Sequence, residues 1–405
     1  MPNRPARPSV LAVMLLATAF VGAPAHADDA AELRLRVLSL NCWGIPLDSV
    51  APMWDRRAKL IGEAIARLQP DVAGLQEVWF PADAEKIADL AGLPHRAYFQ
   101  EPGRSGLLVL SRFPIESRGL DLFKLNGAFL YGFLGHADWI AGKGVATARL
   151  RTPLGPLPFL TTHTVSSHPP GSRAGDRFIP HRLTEADQIV RAVERARVSA
   201  TGGEAVLPAI LTGDLNAEPD SPEVMLVKTV AGLADTVVVA PRIDYVLVGD
   251  APGFRLGLRE RRVEELGEIK DDAGRAVPIS DHPYVLVDMV IRRADAGAGT
   301  TETAAVMPTG AEREATRRAA RGILEADLQS SIADQLVAGA VGVVALLVAA
   351  AAWMGARRRP ARWLRLALRG VAALFVVVGA VAAGYALVTR PEEIRILRAL
   401  HDALG

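Results

Sequence analysis

The middle of the chain alternates two kinds of apolar pattern. Leu33 to Leu40 alternates apolar and polar positions and ends at Asn41, the period of a β-strand. Asp71 to Gln76, Gly106 to Leu110, Pro158 to Thr162, Leu207 to Leu211, Ile243 to Val248 and Pro283 to Val290 are short apolar runs of strand length. Between them, Leu60, Ile61, Ala64, Ile65 and Leu68 share one helical face. Leu183, Ile189, Val190 and Val193 share another, within a helix expected from His181 to Val198. The alternation predicts an α/β fold, in which ligand sites gather at strand ends.

The two ends of the chain follow a different pattern. Basic residues precede an apolar run from about Val10 to Val21, and Ala25-His26-Ala27 supplies a small-x-small site. That is the layout of a signal peptide cut after Ala27, and the short run disfavours an uncleaved anchor. Near the C-terminus, Gln335 to Ala356 and Gly370 to Thr389 are free of charged residues. Each is about 20 residues, long enough at 1.5 Å per residue to cross about 30 Å of hydrocarbon, and a buried soluble hairpin is the alternative. The link between them carries Arg357, Arg358, Arg359, Arg362, Arg365 and Arg369. The positive-inside rule places that link in the cytoplasm and the large domain on the exported, periplasmic side of a multi-pass membrane protein.

These patterns divide the chain into a signal peptide (1–27), a large α/β domain (28–291), a linker and juxtamembrane helix (292–332), a first transmembrane helix (333–356), a basic loop (357–369), a second transmembrane helix (370–389) and a tail (390–405). Ala311 to Leu328 reads as an exposed helix leading to the bilayer.

Composition narrows the chemistry. Lys and Arg number 46 against 45 Asp and Glu, a net charge of +1, so no stable nucleic-acid partner is expected. The single cysteine, Cys42, excludes an intramolecular disulfide and a Cys-rich zinc module. Neither a Gly-rich phosphate loop with Lys-Ser/Thr nor a Gly-x-Ser-x-Gly elbow occurs. What does recur is polar residues at predicted strand ends: Asn41, Glu77, His163, Asp214, Asn216, Asp244, Asp281 and His282. Carboxylates are hard oxygen ligands that suit Mg²⁺, and histidines among acids suit proton transfer and phosphate contact. A buried Asp244 inside an apolar strand costs several kcal/mol, roughly, unless it has a partner.

Asn41-Cys-Trp-Gly-Ile-Pro46, Gln76-Glu77-Val-Trp79, Ser105-Gly106, Gly213-Asp-Leu-Asn216, Arg242-Ile-Asp-Tyr245 and Ser280-Asp-His282 occur in one order. Together they resemble the endonuclease/exonuclease/phosphatase superfamily, and within it the neutral sphingomyelinases, over about Leu33 to Val290. Two C-terminal spans resemble some animal members too. The resemblance implies a four-layer sandwich of two β-sheets flanked by helices, here followed by a C-terminal two-helix transmembrane hairpin. It implies Mg²⁺, with Mn²⁺ as a substitute, held by Glu77 with Asn41, and Asp281 completing the acidic cluster. Asp214 and Asn216 would position water and phosphate, His282 would be the general base oriented by Asp244, and His163 would contact the phosphoryl oxygens or the leaving group. Asp138-Trp-Ile-Ala-Gly-Lys143 is similar to a sphingomyelinase pattern in which Lys143 supplies positive charge to the phosphate; the alternative is a surface Asp138–Lys143 salt bridge. Phe129, Tyr131, Phe133 and Trp139 read either as core or as a lip at a lipid interface. His136, His168 and His181 are expected to be structural, and Trp43 and Trp79 to pack beneath the site.

The expected activity is hydrolysis of sphingomyelin or a related membrane phospholipid to ceramide or diacylglycerol and a head-group phosphate. Two other readings stand beside it: an exported nuclease of the same superfamily, and a catalytically silent membrane-tethered binding module.

Overall fold

The structure is a computed structural model that describes residues 32–101, 104–127, 137–167, 176–198, 205–294, 303–358 and 361–405. The expected signal peptide, Phe129, Tyr131, Phe133, His136 and His168 lie outside the described residues.

Two sheets form the centre. The first holds β1 (Glu32–Asn41), β2 (Val72–Gln76), β3 (His95–Glu101), β4 (Arg104–Ser111), β11 (Phe254–Glu264), β14 (Tyr284–Arg293) and β15 (Thr303–Ala304), in the order β15-β11-β14-β1-β2-β4-β3. The second holds β5 (Ile115–Leu122), β6 (Gly144–Thr152), β7 (Gly155–His163), β8 (Ile210–Asp214), β9 (Leu233–Asp235) and β10 (Asp244–Gly249), in the order β5-β6-β7-β8-β10-β9. β12 (Glu268–Lys270) and β13 (Ala276–Pro278) make a small hairpin. Two pairs are parallel, β1 with β2 and β7 with β8; the other pairings in the two sheets are antiparallel.

The sheets pack face to face, and their outer faces are covered by helices. Val37, Val287 and Met289 of the first sheet meet Phe159, Ile210 and Val246 of the second in the central core. Leu38, Leu75 and Leu108 point outward onto α1 (Trp54–Leu68) and α2 (Pro81–Ala91), through Ile61, Ile65 and Ile87. Leu160, Leu211 and Leu247 point outward onto α4 (Ile179–Ala196) and α5 (Pro222–Ala231), through Leu183, Ile189 and Val227. The central strands are therefore buried on both faces, which is why they read as continuous apolar runs. This is the four-layer sandwich expected from the sequence. A short α3 (Ala137–Ala141) precedes β6.

The C-terminal part is two long apolar helices, each long and apolar enough to cross a membrane. α6 (Gly310–Arg357) is one unbroken helix that opens on a capping box between Thr309 and Glu312. α7 (Arg362–Gly384) runs through a π-helical turn at Tyr385–Thr389 into α8 (Arg390–Ala403). The small residues Gly342 and Gly379 meet where α6 and α7 cross, and an added Cβ at Gly379 would lie 3.0 Å from Leu346. The first part of α6 differs from the exposed helix expected, because Ala320 and Leu324 are buried against the second sheet's helical layer. Leu397 and Leu400 of α8 join the same cluster, so the tail is docked on the domain. His181 on α4 lies 3.2 Å from Glu393, which also pairs with Arg390 at 2.8 Å.

Gly213 shows how tightly β7 and β8 are drawn together beside the site. Its φ is +151°, and a Cβ there would lie 2.2 Å from the Thr162 carbonyl. Gly213→Ala is expected to lower the unfolding free energy by about 1–3 kcal/mol. Chemical denaturation checks this, and an unchanged midpoint contradicts it.

Candidate active site

Strand register brings the polar residues into two rows. In the second sheet, Gly144 of β6 faces His163 of β7, His163 faces Asp214 of β8, and Asp214 faces Asp244 of β10. Lys143 immediately precedes this row's first member. In the first sheet, Asn41 ends β1 opposite Gln76, which ends β2 just before Glu77. His282 lies two residues before β14, the other neighbour of β1. The sandwich stacks the rows, and all nine predicted site residues lie at this one end of it.

Asp214 joins them. Its Oδ2 accepts from Asn41 Nδ2 at 3.0 Å and lies 3.4 Å from His163 Nε2 and 3.8 Å from His282 Nε2. Its Oδ1 accepts the Asn216 backbone N–H at 2.8 Å, an Asx turn that holds Asn216 at a φ of +47°. Burial alone would raise the Asp214 pKa, but the charges of His282 and Lys143 outweigh it and, with the Asn216 N–H, hold the carboxyl below its ordinary value. Asn41 Nδ2 also reaches Glu77 Oε1 at 3.2 Å, so this one amide joins Glu77 of its own sheet to Asp214 of the other. Glu77 sits at a φ of +58°, and its Oε2 is buried with no hydrogen-bond partner among the described residues. Burial pushes the Glu77 pKa up to about 7, against the opposing pull of Lys143 and Asn41.

His282 donates from Nδ1 to Asp244 Oδ2 at 2.8 Å, which leaves Nε2 free toward Asp214 and toward Asp281 Oδ1 at 3.9 Å. Burial would lower the His282 pKa, but the Asp244 and Asp214 carboxylates outweigh it and hold the ring well above the ordinary histidine range. Asp281 is more open than the others, with its side chain 44% exposed.

Lys143 is buried. Its ammonium reaches His163 Nε2 and the Thr164 carbonyl, both at 2.8 Å, and Asp138 Oδ1 at 3.1 Å. An ammonium has no acceptor lone pair, so His163 accepts at Nε2 and carries its proton on Nδ1. Burial and Lys143 push the His163 pKa down to about 3, which keeps the ring neutral. The Asp138–Lys143 pair is therefore not a surface salt bridge: burial of both partners makes it a fixed internal charge pair. Trp139 of the aromatic stretch is 45% exposed.

Several residues that matter here are not among the site residues predicted from the sequence. Ser280 Oγ donates to the Asn41 carbonyl at 2.6 Å and accepts the His282 N–H at 3.1 Å, tying the two sides of the first sheet together. Arg57 is fully buried under the site, donating to the carbonyls of Pro52, Trp43 and Ile279 at 2.8, 2.8 and 3.1 Å. Its guanidinium lies 4.6 Å from the centre of the Trp43 ring. The one signal for Arg57 is its place on the apolar stripe of α1, beside Ala58 and one turn before Ile61. Trp79 packs beneath as expected, its ring lying against Gly106.

The donor set fits a divalent cation. Asp214, Asp244 and His282 each offer a ligand atom within 4.8 Å of the others. Within that trio, however, His282 Nδ1 and Asp244 Oδ2 are already bonded to each other. Glu77 is the stronger candidate, because its Oε2 is buried with no hydrogen-bond partner among the described residues while its Oε1 is held by Asn41. Oxygen donors of this kind suit Mg²⁺ or Mn²⁺ over softer metals.

Comparison with known proteins bears on this arrangement. Residues 38–282 match the model of the Endonuclease/Exonuclease/phosphatase family. The chain is 35% identical over 191 residues to inositol phosphosphingolipids phospholipase C of Schizosaccharomyces pombe, covering 46% of this chain and 42% of that protein. It is 27% identical over 365 residues to sphingomyelin phosphodiesterase 2 of Rattus norvegicus, covering 80% of this chain and 82% of that one. It thus spans less than half the length of the yeast protein and most of the rat protein. Sphingomyelinase C from Streptomyces griseocarneus superposes with a TM-score of 0.46 at 21% identity, covering 63% of this chain and 99% of that one.

The His282–Asp244 bond has a direct readout. Because the carboxylate favours the imidazolium, Asp244→Asn is expected to lower the His282 pKa by about one unit or more in metal-free protein. An NMR titration of the histidine rings measures it. An unchanged or higher pKa contradicts the pairing.

Proposed function

The chain belongs to the Endonuclease/Exonuclease/phosphatase family, and on that premise we propose that it is a Mg²⁺-dependent phosphodiesterase acting on sphingomyelin or a related membrane phospholipid. The observation that carries the proposal is the polar chain Glu77–Asn41–Asp214–His282–Asp244, which sets a carboxylate whose Oε2 has no hydrogen-bond partner among the described residues and an oriented imidazole on either side of one aspartate.

In this reading Glu77 and Asn41, with Asp281 beside them, hold the ion. Bound there, Mg²⁺ offsets phosphate charge and stabilises the leaving alkoxide. With a cation's charge opposing the carboxylates that raise its pKa, His282 would be deprotonated at Nε2 and would take a proton from water there, while Asp244 fixes the ring's tautomer and orientation through Nδ1. Asp214 and Asn216 orient the water and the phosphate. Lys143 and the neutral His163 add a fixed positive charge and a polar face on the phosphoryl side. The water oxygen bonds to phosphorus as the phosphorus–oxygen bond to the lipid breaks. The lipid leaves as an alcohol, ceramide or diacylglycerol, and the head group leaves as its phosphate.

The two apolar helices support a membrane setting for this chemistry. We place the hairpin across the bilayer, the arginine-rich turn in the cytoplasm and the domain on the exported side. The docked α8 agrees with that topology, because a hairpin returns the tail to the side where the domain lies. Tethering raises the local concentration of a lipid-borne substrate.

Full-length protein in mixed micelles, assayed on sphingomyelin, phosphatidylcholine, phosphatidylethanolamine and plasmid DNA, tests the proposal. Release of head-group phosphate is expected with Mg²⁺ and not with EDTA, with DNA left intact. Glu77→Gln and His282→Ala should each lower kcat by about 10³-fold or more. Near wild-type turnover in either variant contradicts the roles, nicked DNA without lipid hydrolysis points to a nuclease, and inertness on all four substrates points to a binding module.

A further inference from the structure

Behind the site lies a carboxyl that the proposed reaction does not use. Glu185, on the second turn of α4, is 0% exposed. Its Oε2 accepts the Val165 N–H at 2.9 Å, and its Oε1 has no partner among the described residues. Burial pushes its pKa up to about 8. An apolar side chain would be cheaper to bury at such a position, so the carboxyl calls for an explanation in what it holds.

It holds the segment that leaves β7 just after His163. The Thr164 N–H donates to the Asp214 carbonyl at 3.1 Å. The Thr164 carbonyl accepts from Lys143 Nζ at 2.8 Å and from Asn216 Nδ2 at 2.9 Å. Ser166 donates its N–H and its hydroxyl to Asp138 Oδ2, at 2.8 and 2.7 Å, and Asp138 Oδ1 pairs with Lys143. Val165 lies between these two hubs. α4 grips it from behind through Glu185 at its N–H and Arg182 Nη1 near its carbonyl at 3.5 Å. Arg182 is itself fixed by Asp176 and by Glu223 at 2.9 Å.

We infer that Glu185 is a positioning residue: by holding the Val165 peptide it sets the Thr164 carbonyl, and through that carbonyl the directions of Lys143 and Asn216. The inference rests on the roles given to Lys143 and Asn216 above. Its geometry is one step removed from the reacting atoms, and a displacement of about 1 Å at such a distance can cost about 10²-fold in rate.

Full-length Glu185→Gln, which keeps an acceptor, and Glu185→Met, which keeps the volume without one, test it. Two readouts are needed: amide hydrogen exchange across residues 163–167, and kcat and KM on the lipid substrate. Glu185→Met should speed exchange there by about tenfold and lower kcat by about 10²-fold with KM unchanged, while Glu185→Gln stays within about threefold of wild type in both. In a Lys143→Met background the Glu185→Met loss should shrink to about threefold or less. A folded Glu185→Met protein with wild-type exchange and kcat overturns the inference. So does a Glu185→Gln protein as slow as Glu185→Met, or a loss that is fully additive with Lys143→Met. Should Glu185→Met not fold, Glu185→Asp, one methylene too short to reach Val165, is read by the same criteria. If the wild type hydrolyses no lipid, the proposed function fails, and exchange at 163–167 alone decides the role of Glu185.

Discussion

A carboxylate almost wholly removed from water stays ionised only where donors and positive charge surround it, and Asp214 occupies such a position. Asn41 and the Asn216 backbone N–H donate to it, and the His282 imidazolium lies 3.8 Å from its Oδ2. Most other features of the site follow from satisfying that group. Asn41 must come from the opposite sheet, so the ends of β1 and β8 must meet. Asn216 must turn back, so its backbone adopts a left-handed conformation. Gly213 must lack a side chain, so that β7 can lie close enough for His163 to face Asp214.

The sandwich makes this convergence possible without long loops. Each sheet is largely apolar on both faces along its central strands, with buried hydroxyls such as Thr161 and Thr212 hydrogen-bonded inside, and the titratable groups of the site gather at the strand ends. Antiparallel pairing of β8 with β10 and of β1 with β14 then brings Asp244 beside Asp214 and His282 beside Asn41. The outer layers contribute as well. α1 reaches beneath the site through Arg57, α4 through Glu185, and α8 ties the C-terminal helices to α4 through Glu393 and His181.

Much of this was legible in the sequence because burial on two faces leaves a strong mark. β2, β4, β7, β8, β10 and β14 stand out as short apolar runs, and β1 as an apolar–polar alternation that stops at Asn41. β3, β5, β6, β9 and β11 did not: β3, β5 and β9 lie at sheet edges, and β5, β6 and β11 carry polar or charged residues, such as Arg259 to Arg262, along their length. The polar cluster was legible because its members sit at strand ends in a recognisable order. Glu185 and Arg57 were not, and Ser280 was visible in its motif but its contact was not, because all three act on backbone groups, and no spacing in the chain announces which carbonyl or N–H a side chain will meet. The Asp138–Lys143 pair was legible as a pair while its burial was not, since the depth of a loop is set by what packs over it.

The account stands on Glu77 as the anchor of a divalent ion beside Asp214. Mn²⁺ binding to full-length protein, followed by electron paramagnetic resonance, tests this without reference to any substrate. The wild type should bind Mn²⁺ and release it to excess Mg²⁺, and Glu77→Gln should weaken binding by about tenfold or more, the range seen when a metal site loses supporting groups. Equal Mn²⁺ affinity in the wild type and in Glu77→Gln would contradict the account at its centre.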